Sequence, residues 1–132
     1  MGEGEVLSPL KKVIFWLLLL LLLVLFVKNF FYEVFTVSQR SMEPTLNEGD
    51  LLLVSVIHYK FFKPKAGDVV VLVSPEGKLV VKRIEKINEG KIFVLGDNQM
   101  ESLDSRVWGY IDQKKIVGKV ILKLYPKFEK VN

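Results

Sequence analysis

The sequence predicts an all-β fold, a small antiparallel β domain preceded by one N-terminal transmembrane helix. Three observations lead there. An unbroken apolar run lies near the N-terminus, the remainder alternates short β-branched runs with turn residues, and no helical stretch separates one run from the next. At 132 residues the chain has room for one small domain and one accessory element. The net charge of +4 is carried by scattered lysines rather than a basic run, so no nucleic-acid partner is expected. With no cysteine there is no disulfide framework, no thiolate nucleophile and no zinc-finger spacing, and neither a metal nor a cofactor is expected.

Residues 1–9 read as a polar cytoplasmic tail and residues 10–30 as a transmembrane signal-anchor helix. Every residue from 13 to 27 is apolar. Leu10 before that run, a snorkelling Lys28 and the aromatics Phe30 and Phe31 after it extend the span toward the roughly 20 residues a bilayer requires. A cleavable secretory signal has the same layout, but residues 30–35 offer no pair of small residues at cleavage spacing, which favours an uncleaved anchor. Lys11 and Lys12 put the N-terminus on the cytoplasmic side and the rest of the chain outside.

Residues 31–132 form the extracytoplasmic β domain. Strands are expected at 34–37, 51–57, 69–73, 79–84, 91–95 and 116–124, each bounded by Gly, Pro, Asn or Asp. The dipeptide Gly-Asp occurs at 49, 67 and 96, and its chemistry reads as turn punctuation in all three places. Tyr59, Phe61 and Phe62, interleaved with Lys60 and Lys63, read as a hairpin tip suited either to a membrane interface or to a small satellite cluster.

Three segments place polar residues where a purely structural β domain has no need of them. In Ser41-Met42-Glu43-Pro44-Thr45-Leu46, Pro44 fixes its own φ and restricts Glu43, so Ser41 sits on a stiff turn. In Val80-Val81-Lys82-Arg83-Ile84 the two cations fall on opposite faces, so one of them must point inward or into a cleft. Gly96-Asp97-Asn98 through Ser102 and Asp104-Ser105-Arg106 crowds hydroxyls, acids and an arginine into one loop. Singly, each has a structural explanation: a turn, a solvated strand lysine, an Asx motif. Together, in this order and after a membrane span, they are far more specific.

On these residues, with Gly67-Asp68-Val69-Val70, Trp108-Gly109 and Val117-Gly118, the chain closely resembles the bacterial type I signal peptidases. The resemblance covers the anchor and residues 34–120. It implies a membrane-bound serine endopeptidase of the inner (cytoplasmic) membrane that removes signal peptides from exported preproteins, with Ser41 as nucleophile and Lys82 as general base. It also implies that Ser102 orients the lysine and that Asp104 and Arg106 support the site. Substrates would carry small residues at −1 and −3, and membrane lipid and the secretion translocon are candidate partners.

A lysine accepts a proton from serine only when neutral, and its ordinary pKa of about 10.4 forbids that at pH 7 in water. Burial can lower it by as much as about 3–5, and Val80, Val81 and Ile84 supply an apolar setting. A carboxylate beside the lysine would oppose this, so Asp104 is expected to pair with Arg106 or Arg83 instead. The oxyanion needs donors: the Ser41 backbone N–H is one, and Gln39, two residues before the nucleophile, is the candidate for the second. The family often has serine or glycine there, so Gln39 is a departure. An extended substrate would add as a strand along 35–39 and 79–82, with Phe35, Val37, Met42 and Val81 shaping the pockets. Each of these four is also consistent with an ordinary core position, Phe35 and Val37 most of all. His58, the sole histidine, receives no catalytic role because Lys82 occupies the strand position of the base. The alternative function is a catalytically inactive, membrane-tethered β module that binds exported peptides.

Overall fold

The computed structural model describes residues 3–132 and divides into two units, an N-terminal helix and a β domain of Tyr32–Asn132. Helix α1 spans Glu3–Phe31. Met1 and Gly2, the start of the expected tail, lie outside the described residues. From Glu3 through Pro9, however, that tail is helical. Once the apolar run nucleates a helix, adding residues at its end is favourable, so a polar flank is carried into it. Its apolar portion, Ser8–Phe31, has 24 residues. At 1.5 Å per residue that is roughly 36 Å, enough to cross a hydrocarbon core of about 30 Å. Its apolar side chains from Leu10 to Phe26 are exposed.

The β domain contains β1 (Tyr32–Thr36), β2 (Leu51–Ser55), β3 (Val69–Val73), β4 (Leu79–Asn88), β5 (Lys91–Leu95), β6 (Ile111–Asp112), β7 (Ile116–Tyr125) and β8 (Glu129–Lys130). They form one antiparallel sheet in the order β1-β2-β7-β3-β4-β5-β6, with β8 paired to the far part of β7. Strand β3 lies in the middle of this order, and its sequence Val-Val-Val-Leu-Val is buried on both faces. Val69 and Val71 enter one apolar cluster with Val37, Met42, Leu46, Leu52, Val54 and Val120. Val70 and Leu72 enter a second with Val80, Ile84, Ile92, Val94 and Ile111.

All six expected strands form, but β4 runs on to Asn88 because residues 86–88 pair with β5, and residues 85–88 stay exposed and carry no apolar run to announce it. The expected hairpin tip is instead a single-turn helix α2, His58–Phe61. A second short helix, α3, covers Ser105–Trp108, and Asp104 caps it by accepting from Arg106 N. Elements this short leave almost no periodic signal. Gly49 and Gly67 have φ of 90° and 94°, the left-handed conformation that the turn reading implies.

Candidate active site

Ser41 sits on the connection from β1 to β2. The turn closes through Leu46 N donating to Met42 O (2.9 Å) and Glu43 N to Arg40 O (3.2 Å), and it is pinned to the core by Met42 and Leu46, both buried. A second loop grips it from outside. Asn98 N donates to Ser41 O at 2.8 Å, Asn98 Nδ2 to Arg40 O at 3.1 Å, and Thr45 Oγ1 to Asp97 Oδ2 at 2.6 Å. Asp97 is in turn clamped by Arg83, whose Nε and Nη2 donate to its two carboxylate oxygens at 2.9 Å each. Burial alone would raise the Asp97 pKa, but the hydrogen bonds from Arg83 and Thr45 outweigh it and hold the carboxyl below its usual range. Arg83 is the residue after Lys82, so this clamp ties the serine turn to the lysine strand.

On β4, Val80, Lys82 and Ile84 are buried in alternation while Val81 and Arg83 are only partly so. Lys82 is the cation that turns inward, with 1% of its surface exposed. Its Nζ donates to Ser102 Oγ at 3.1 Å, and Ser102 Oγ donates to Asp104 Oδ2 at 2.7 Å. Asp104 also accepts from Gly96 N (3.0 Å), Arg106 N (3.1 Å), Arg106 Nε (3.0 Å) and Arg106 Nη2 (3.1 Å). Asp104 therefore pairs with Arg106, and Arg83 pairs with Asp97, so the Ser102 hydroxyl stands between Asp104 and the lysine. Burial would push the Asp104 pKa up, yet the donors from Arg106, Ser102 and Gly96 reverse this and keep it ionised well below the usual carboxylate range. For Lys82, burial is the largest influence and lowers its pKa. The Asp104 charge opposes that, and Arg106 adds to it.

Gly96 departs from the reading of Gly-Asp as punctuation. Unlike Gly49 and Gly67 it lacks a positive φ; what requires glycine is space, because a Cβ there would come within 2.5 Å of Ser41 O and would overlap the Ser102 hydroxyl. The loop that delivers Ser102 thus passes directly against the backbone of the serine turn.

A cleft of about 240 Å³ opens beside Ser41. Its lining includes Phe35, Val37, Gln39, Met42 and Val81, all expected from the sequence, together with Thr36, Ser38, Val71, Leu79 and Val80. Lys82, Ser102, Asp104 and Arg106 are not part of that lining. Val37 and Met42 belong simultaneously to the first apolar cluster, and Phe35 and Val81 pack against it. The pocket and core readings of these residues coincide because the cleft floor is the outer surface of the core. The cleft also lies between two free strand edges. Among the described residues, strand β1 pairs only with β2, and β4 pairs with β5 only from Arg83 onward, leaving residues 79–82 with one partner, β3.

Sequence reasoning did not assign Thr45, Arg83, Asp97 and Asn98 to the clamp, or Gly96 to the close approach. Bidentate Arg83–Asp97 pairing had no sequence signal beyond the two residue types, since they lie 14 positions apart.

The comparisons with known proteins place the chain among serine peptidases. The family described as signal peptidase, peptidase S26, matches residues 10–85 and 85–125, nearly the whole chain, and the chain belongs to that family. Its relatives include a probable signal peptidase I-1 of Synechocystis, 27% identical across 96% of this chain and 89% of the relative. Signal peptidase IB of Staphylococcus aureus is 26% identical across 76% of this chain and 81% of the relative. Mitochondrial inner membrane protease subunit 2 of Schizosaccharomyces pombe is 34% identical across 78% and 70%.

Proposed function

We propose that the chain removes signal peptides from exported preproteins by a Ser-Lys mechanism, with Ser41 as nucleophile and neutral Lys82 as general base. The carrying observation is the burial of Lys82, with its amine held by Ser102, whose hydroxyl stands between it and the Asp104 carboxylate. As Ser41 Oγ bonds to the scissile carbonyl carbon, its proton passes to Lys82 Nζ. The oxyanion is met by the Ser41 N–H, with the Gln39 amide, which borders the cleft, as second donor. Lys82 then gives its proton to the departing amine, leaving an acyl-enzyme. Water deprotonated by Lys82 attacks the ester, and the proton returns to Ser41 Oγ as the signal peptide leaves.

The two free edges flanking the cleft support binding of the substrate as an added strand, its backbone pairing with β1 and with residues 79–82 of β4. The apolar side chains of Phe35, Val37, Met42 and Val81 in the cleft lining would receive the small side chains at −1 and −3. Helix α1 serves as an uncleaved single-pass anchor in the cytoplasmic membrane, with the β domain outside and the translocon as the neighbouring source of substrate.

The test is cleavage of a preprotein bearing Ala-x-Ala before its cut site, in lipid, by wild type, Ser41→Ala and Lys82→Ala. Both variants should lose at least about 10²–10⁴ in kcat/KM, the usual worth of a positioned base, with the serine loss the larger. Full activity in either sinks the mechanism. Binding of the peptide with no cleavage by wild type would favour the inactive module.

A further inference from the structure

Helix α2 and the residues after it present an aromatic and basic knob that the peptidase chemistry does not use. Phe61 and Phe62 are adjacent phenylalanines with 76% and 61% of their surfaces exposed. Their neighbours Lys60, Lys63 and Lys65 are exposed as well. The knob is built, not loose. Tyr59 packs against the second apolar cluster and donates its hydroxyl to Asp68 Oδ2 at 2.7 Å. Phe62 N donates to His58 O at 3.0 Å, and the Phe62 ring stacks on His58 at 4.9 Å between centroids and 23° between planes. The nearest acid in the segment, Asp68, is already engaged by Tyr59, Lys65 N and Lys119, so the lysine charges are left for an outside partner.

We propose that this knob is a lipid-binding element, with Phe61 and Phe62 seated among the headgroups of the bilayer and Lys60, Lys63 and Lys65 meeting anionic lipid. Rigid aromatic rings bordered by lysines are the composition that partitions to an anionic membrane interface. Chain continuity favours lipid over any freely diffusing partner. The β domain begins at Tyr32, the residue after α1 ends, so a bilayer spanned by α1 is held at high effective concentration. The inference rests on α1 spanning a membrane and is independent of the Ser41-Lys82 mechanism.

Because the chain has no cysteine, a single introduced one carries a nitroxide at one known place. Full-length Phe61→Cys, and separately Ala66→Cys, which keeps both phenylalanines, are labelled and placed in lipid nanodiscs. Glu76→Cys, in the turn between β3 and β4, is the reference. In discs containing phosphatidylglycerol the labels at 61 and 66 should become several-fold less accessible to a water-soluble nickel chelate and more accessible to oxygen than the label at 76. Changing Lys60, Lys63 and Lys65 together to Glu, or using phosphatidylcholine alone, should remove that protection. Equal accessibility at 61 and 76 in anionic discs overturns the proposal. So does protection that survives charge reversal, or that arises only when preprotein is added. Preprotein cleavage by the same labelled chains reports separately on the peptidase reading.

Discussion

Lys82 carries opposing demands that a pH series separates. Burial lowers its pKa from the ordinary 10.5, so between the folded value and 10.5 the unfolded chain holds the extra proton and stability rises with pH. Below the folded value the full penalty applies. Lys82→Met should therefore melt at a higher temperature than wild type at pH 7, while losing activity, and the gap should close as pH approaches 10.5; thermal melts across pH 7–10.5 decide this. Asp104 acts in the other direction, since its charge raises the Lys82 pKa. In Asp104→Asn that opposition is gone and Arg106 is left unbalanced, so the acid limb of kcat/KM should move to lower pH even though activity falls. An unmoved limb would mean that the limb reports some other group.

At the scale of elements, the site depends on two loops, the serine turn and the loop after β5, meeting beside β4. The loop after β5 supplies Gly96, Asp97, Asn98 and Ser102, and it holds the serine turn through Asn98 to Ser41 O and Thr45 to Asp97. Gly96 is where this contact is tightest. A methyl there meets backbone oxygen, which cannot rotate away, so Gly96→Ala must push the two loops apart. Displacing a catalytic group by about 1 Å can cost about 10²-fold, and a loss of that order in kcat with a smaller change in KM is the expected result from steady-state kinetics. The same alanine at Gly77, a turn glycine with open space around it, should leave kcat intact and affect only stability through its φ of 82°.

For the whole molecule, an apolar helix of membrane length continues directly into a β domain whose cleft lies between free edges. Edges of this kind invite unwanted pairing unless something occupies or shields them, and the substrate strand proposed above would occupy them. The orientation is checked by protease treatment of intact spheroplasts. The β domain should be digested from outside and protected in inverted vesicles; the reverse pattern contradicts a cytoplasmic N-terminus.

The sequence by itself determined the apolar helix and the six principal strands, and it offered the residue types of the candidate site, because period, turn chemistry and an inward cation on β4 are local properties. It could not order the sheet: β7, the penultimate strand of the chain, inserts between β2 and β3, and only long-range packing of Val120 with Val54 and Val71 decides that. Tertiary structure also decided that Lys82 and not Arg83 is buried, since alternation leaves the choice open until Asp97 claims the arginine. It likewise separated Gly96 from the other Gly-Asp turns. A φ value is written in a few residues, but the space against Ser41 and Ser102 exists only once distant loops have met.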